Sequence, residues 1–208
     1  MRALSAAGTA LVWSTVVLPR SGLGKRGRTV ANVAFATAYA TVFGGRPNWM
    51  CARGVRWGAA SFGAIVAITA AAVAVPAFRD RMDGLAERDP EVGTVEWVAI
   101  HIPLGTAYSE ELIFRGTLDP LLQTAVGPAG KWCGALFFGL WHISPARAAG
   151  DSVPATIAAT AAGGLVFSWL RRRADSATAP ALAHLALNAC GVVAPRVARA
   201  LDNRTRRR

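Results

Sequence analysis

The first 78 of the 208 residues contain no aspartate or glutamate. A soluble domain ordinarily mixes charges of both signs along amphipathic helices, and that pattern is missing here. Charged residues make up only 17% of the chain against 53% hydrophobic, with a mean hydropathy of +0.33. Such a composition fits a membrane protein whose charges are pushed out of its apolar stretches. Cysteine is also scarce. Cys51, Cys133 and Cys190 stand singly and are odd in number, which excludes a disulfide framework or a C-x-x-C metal pair built from adjacent residues and leaves them as small apolar packing residues. There is no H-E-x-x-H, so no single helix offers zinc two imidazoles and a base. No linker, tandem repeat or room for a soluble domain is visible.

The charge that is present is segregated. Its net is +8 over residues 1–78, −3 over 79–96, −1 over 97–170 and +7 over 171–208. The basic clusters, at 20–28, 46–56, 171–173 and 196–208, flank apolar runs and, Trp49 apart, lack interleaved aromatics, so membrane lipid rather than nucleic acid is the expected partner. Successive loops are both basic, and the positive-inside rule therefore leaves the orientation open. Residues 79–96 form the one acidic, turn-rich stretch and read as a solvated connector.

The apolar runs set the fold class. No Lys, Arg, Asp or Glu interrupts 57–78, 153–170 or 176–195, and each of these is long enough to cross a bilayer core as a helix of about 20 residues. Shorter uncharged runs at 3–19, 29–45, 97–109 and 132–146 are also read as helices, because a backbone in lipid must satisfy its own hydrogen bonds. The expectation is an all-α, polytopic membrane bundle of seven to eight transmembrane helices, with a retained first helix rather than a cleaved signal peptide. Residues 1–96 comprise N-terminal helices and the acidic loop, 97–195 the functional core, and 196–208 a basic tail. Small residues such as those of 64–74 and 155–164 suit close helix packing in lipid.

Ionisable groups within spans cost about 2.5–3.5 kcal/mol each and are functional candidates by default. They are His101, Glu110, Glu111, Arg115, His142 and His184, with Asn188 beside them, and all fall in the C-terminal group of helices. Glu111 and Arg115 are spaced i,i+4 with the acid first, the favourable order for an ion pair. Glu110 points about 100° away and is left without that partner, which suits a general base. This helix is expected to begin near Glu96 and to end before Asp119-Pro120. Phe138 and His142 share a face of the next helix, which Ser144-Pro145 is expected to stop. His184 and Asn188 lie one turn apart on the last. His101 stands about opposite Glu110 and reads as structural.

The motifs EELIFR at 110–115, FGLWH at 138–142 and HLALN at 184–188 resemble, in order and spacing, the EExxxR, FxxxH and HxxxN signatures of the CPBP intramembrane protease family. That family includes the CAAX prenyl endopeptidases and bacterial bacteriocin-processing and immunity-type proteins. The resemblance covers roughly residues 97–195 and implies a multi-pass protein of a bacterial cell membrane. It implies an endopeptidase that cleaves a membrane-associated protein or peptide substrate within a cavity among the C-terminal helices. By position it makes Glu110 the activator of water and His142 the other principal catalytic group. His184 and Asn188 would bind the oxyanion or a metal, while Glu111, Arg115 and Phe138 support them. His142, His184 and Glu110 could hold Zn²⁺ or another divalent metal and leave a position open. A glutamate–histidine pair can equally activate water with no metal. Two other functions compete. One is a non-catalytic immunity or scaffold protein of the same fold, which would keep these residues as buried polar glue. The other, a proton-coupled transporter, is disfavoured because the ionisable groups sit in one half only.

Overall fold

The computed structural model describes residues 1–79, Met82 and 91–206, and these contain helices but no strand. Most of the acidic connector expected at 79–96 lies outside the described residues, as do residues 207–208 of the basic tail. Helix α1 covers 2–20 with a π-helical segment at Trp13–Val17. It is followed by α2 (Lys25–Phe43) and α3 (Ala52–Ala74). Helix α4 runs over 94–126, α5 over Gly130–Trp141, α6 over Ile143–Ala149, α7 over Val153–Ala174 and α8 over Thr178–Arg206. Among the described residues three helices are long and apolar enough to cross a membrane, Ala52–Ala74, Val153–Ala174 and Thr178–Arg204. They coincide with the three longest uncharged runs. The shorter runs fold as helices too, but they do not bring the number of qualifying spans to the seven or eight expected. α5, for instance, has 12 residues, a rise of roughly 18 Å.

Proline and glycine place the boundaries. The uncharged run 57–78 is not one helix, because Val75 precedes Pro76 and is extended, with ψ 117°, where the proline ring disfavours helical backbone. α2 ends on Gly44 in the left-handed conformation, φ 65°. Two expected stops move. α4 continues through Asp119-Pro120 to Val126, with Pro120 in the first turn of its last regular segment, where the missing N–H costs little. The break after FGLWH falls at His142 itself, and Ser144-Pro145 opens α6 instead of ending α5.

α4 is wound unusually. Trp97–Tyr108 and Phe114–Leu118 are π-helical and flank the regular turn Ser109–Ile113. Pro103 lies within the first π segment and cannot donate to the helical ladder. Two hydroxyls bond to carbonyls five residues back, Ser109 Oγ to Leu104 and Thr117 Oγ1 to Leu112, as the wider turn allows. Asn32 on α2 bridges neighbours, accepting from Trp13 Nε1 at 2.9 Å and donating to the carbonyl of Gly105 at 3.1 Å.

Close helix approach is made at glycines, and of the two small-residue stretches 155–164 takes part in it, against Gly139 and Ala135. Most of 64–74 faces outward, and the buried residues of α3 are Gly54, Gly58 and Val73. A Cβ at Gly54 would fall 2.5 Å from Ser176 Cβ, and one at Gly58 would fall 3.1 Å from the carbonyl oxygen of Thr178. This is a small-xxx-small contact between α3 and α8. Val66, Ile68, Val166 and Leu187 are exposed on the outer surface, as lipid-facing residues of a bundle are. The three cysteines are free.

Gly58→Leu is expected to cost about 1–3 kcal/mol by overpacking the α3–α8 contact. Gly63→Leu, at a position with no atom within 4 Å of a new Cβ, is expected to cost nothing measurable. Denaturant unfolding of the purified protein in detergent checks both.

Candidate active site

The regular turn Ser109–Ile113 carries both glutamates into the interior, where Glu111 is 0% and Glu110 7% exposed. Glu111 Oε1 accepts from Arg115 Nη1 at 3.2 Å and from His184 Nδ1 at 2.8 Å. The sequence-expected ion pair is thus formed, and it extends onto α8. Arg115 is 1% exposed, donates from Nη2 to the carbonyl of Gly164 at 3.2 Å, and places its guanidinium 4.2 Å from the ring centroid of Phe138 and 5.1 Å from that of Phe167. Aromatic faces attract a desolvated cation, so the rings partly replace the water that Arg115 has lost.

Two residues of this network do not stand out in the sequence. Asp119 Oδ2 lies 4.0 Å from Arg115 Nε and accepts a hydrogen bond from Ser168 Oγ on α7. Its spacing of i+4 from Arg115 is the available signal, masked by the expectation that the helix stops before Asp119-Pro120. Gly134 lets this carboxylate in, since its absent Cβ would sit against Asp119 Oδ1.

The two motif histidines converge on Glu110. His142 Nδ1 lies 2.7 Å from the carbonyl oxygen of Phe138, and a carbonyl only accepts, so Nδ1 carries the proton. His184 Nδ1 likewise faces the carboxylate of Glu111. In the neutral rings both lone pairs are therefore on Nε2, 3.7 Å (His142) and 3.9 Å (His184) from Glu110 Oε2. That oxygen is buried and has no hydrogen-bond partner in the protein. Phe138 stands edge-on to both imidazoles, with centroids 4.8 and 5.9 Å away, and Phe167 stacks on His184 at 4.9 Å. The supporting role expected of Phe138 is thus carried by its carbonyl as well as its ring.

One N–H of Asn188 Nδ2 donates to the carbonyl of His184 at 3.1 Å, within its own helix. His101 belongs to a separate cluster, as its structural reading required. Its Nδ1 meets Thr29 Oγ1 at 2.8 Å and its Nε2 meets Glu96 Oε1 at 3.1 Å, and Glu96 is held by two hydrogen bonds from Arg26. The Arg26 hydrogen bonds, and after them the one from His101, hold the Glu96 carboxyl down to about 2. A depressed carboxyl stabilises the fold above its unfolded value, so this latch between α2 and α4 is present at neutral pH and is lost only as pH falls through about 2.

Two neutral imidazole nitrogens and a carboxylate oxygen are chemically suited to a divalent cation, but their spacing is wide. Ligands about 2.1 Å from a tetrahedral centre stand roughly 3.4 Å apart, and among the described residues no group of three or more His, Cys, Asp or Glu is placed to hold a metal ion. The residues as arranged do not fit the metal that the sequence leaves open.

Removing Arg115 would leave Glu111 and Asp119 buried without their cation. Arg115→Met is expected to cost about 3–5 kcal/mol. Glu111→Gln, which keeps shape and one acceptor, is expected to cost less, and thermal unfolding in detergent ranks the two.

Residues 93–190 match the family model of type II CAAX prenyl endopeptidases, Rce1-like. No curated protein and no solved structure matches the chain. The matched segment, just under half of the chain, contains the EExxxR, FxxxH and HxxxN residues, and over that segment the chain is similar to these endopeptidases.

Proposed function

We propose that the chain is an intramembrane endopeptidase that hydrolyses a peptide bond of a membrane-associated protein or peptide in a bacterial cell membrane, using water activated by Glu110 and His142. One observation carries this reading: three acceptor atoms, Glu110 Oε2 and the two imidazole Nε2 atoms, face one another with no donor among them. Such a trio is satisfied by a species that donates protons. A water molecule donating to Glu110 Oε2 and to His142 Nε2 satisfies two of them and keeps a lone pair for a substrate carbonyl carbon.

Glu110 takes the proton as the water oxygen bonds to that carbon, and a tetrahedral intermediate forms. The same proton then passes to the amide nitrogen, the C–N bond breaks, and an acid and an amine leave. The two histidines differ in what stands behind them. The Nδ1–H of His142 meets a neutral carbonyl, which keeps its Nε2 an acceptor toward water. The Nδ1–H of His184 meets the Glu111 carboxylate, which would balance a proton that Nε2 takes up from solvent, and only in that protonated form would this ring donate to the oxyanion. Asn188 keeps a second N–H beyond the one that bonds the carbonyl of His184. No step requires a metal.

Glu110→Gln and His142→Ala are expected to lower cleavage of membrane-anchored peptides at least about 100-fold while leaving thermal unfolding in detergent close to the parent's. Undiminished cleavage in both would end the assignment, and an unchanged cellular phenotype in Glu110→Gln would favour the non-catalytic immunity or scaffold role. Activity is also expected to survive dialysis against a chelator. Loss on chelation with recovery on adding Zn²⁺ would replace the metal-free scheme.

A further inference from the structure

The loop 44–51 between α2 and α3 lies outside the segment that the family model matches, yet it is bonded to both helices that carry the proposed chemistry. Arg46 N donates to the carbonyl of Gly116 on α4 at 2.7 Å. From the next residue onward the bonds go to the turn joining α7 and α8. Ala177 N donates to the carbonyl of Pro47 at 2.8 Å, Asn48 Nδ2 to that of Asp175 at 2.6 Å, Ser176 Oγ to that of Asn48 at 2.7 Å, and Thr178 Oγ1 to that of Trp49 at 2.6 Å. The Trp49 ring also stacks on Tyr108, at 5.7 Å and 26°, two residues before Glu110.

We propose that this loop is a strap that sets the register of α4 against α8, and that Asn48 is a positioning residue for the hydrolysis proposed above. Residue 46 is fastened to α4 and residue 47 to Ala177, the residue that leads directly into α8, and one extended residue spans at most about 3.6 Å. The two attachment points therefore cannot slide past one another without breaking bonds at one of them. Both attachments lie close to the chemistry in sequence. Gly116 directly follows Arg115, and Thr178 precedes His184 by less than two helical turns. The same two helices are joined deeper in the bundle by the Glu111–His184 hydrogen bond, which fixes where His184 Nε2 faces Glu110. Asn48 suits the position twice over. Its backbone is left-handed, φ 50°, which asparagine tolerates better than most residues, and its amide supplies the bond to Asp175. Pro47 packs on Gly116, where a Cβ would lie 3.3 Å from the proline ring. A shift of about 1 Å at a catalytic group costs on the order of 100-fold in rate, so a strap that holds register acts on turnover more than on substrate binding.

The test compares two chains lengthened by Gly-Gly, one between Pro47 and Asn48 and one after Gly22, an exposed bend with no atom within 4 Å of a new Cβ. The strap insertion is expected to lower kcat at least about tenfold with KM unchanged, while the Gly22 insertion matches the parent. An activity-independent readout is the imidazole ¹⁵N spectrum of the three histidines, assigned by single substitutions. In the parent and the Gly22 insertion His184 is held as the Nδ1–H tautomer, and in the strap insertion that preference is lost. If the strap insertion fails to fold, Asn48→Gly decides, since it keeps the left-handed backbone and removes only the amide. It is expected to lower kcat several-fold with KM unchanged and to broaden the same signal. Parent-like kcat and an unaltered His184 signal in the deciding variant would overturn the strap. A parent that cleaves nothing would overturn the proposed endopeptidase, leaving the His184 signal to decide the strap alone.

Discussion

The guanidinium of Arg115 is the one Lys or Arg side chain buried among the described residues, and the polar interior is arranged around it. Taking such a cation out of water costs several kcal/mol, and good geometry is needed to recover it. Here the recovery is divided among the Glu111 carboxylate, the carbonyl of Gly164, the nearby Asp119 and the faces of Phe138 and Phe167. Nη1 and Nη2 are taken by Glu111 and Gly164, Nε has no hydrogen-bond partner, and none of these donors bonds to Glu110. That neighbour, one residue from a neutralised carboxylate, keeps an oxygen with no protein donor. The structural pair takes up Glu111, while Glu110, turned about 100° away on the same helix, is left without a donor. Glu111 carries it further, since the oxygen that binds Arg115 also orients His184.

Helix winding decides where these groups stand. A regular turn at Ser109–Ile113 is set between two π segments, and π turns commonly mark functional sites because they redirect side chains that a regular helix would spread at 3.6 per turn. Pro103 and the hydroxyls of Ser109 and Thr117 are local features compatible with such winding. The neighbouring helices come close enough to close the site at glycines. A Cβ at Gly139 would lie 2.8 Å from the carbonyl oxygen of Ile157, and one at Gly164 would lie 3.2 Å from Phe138 Cδ1.

Much of the site is legible in the order of the residues. Glu111–Arg115 and the shared face of Phe138 and His142 follow from i,i+4 spacing, and the isolation of ionisable groups in apolar runs singles out Glu110 and His184. Asp119 is hidden by a proline rule that holds for helix interiors but not for first turns. Asn188 has an outward role by spacing alone, because spacing shows which face a side chain shares, and not that the carbonyl one turn back is the nearest acceptor. A span count from uncharged runs exceeds the three helices that qualify by length and hydropathy among the described residues, because such a run shows only that a helix is tolerated in lipid, whereas π segments and a 12-residue α5 depend on what packs alongside.

The amino-acid sequence alone determined that the chain is helical and apolar and which ionisable residues its apolar runs hold, because hydrophobic runs and helical spacing are local properties. Only the tertiary structure decided that two histidines from different helices present Nε2 to one glutamate oxygen, that a metal-ligand spacing is not met, and that a loop outside the matched segment joins α4 to α8. Each of these depends on distances between groups far apart in the chain, and those distances are set by glycine contacts, backbone winding and hydrogen bonds whose partners no local pattern names.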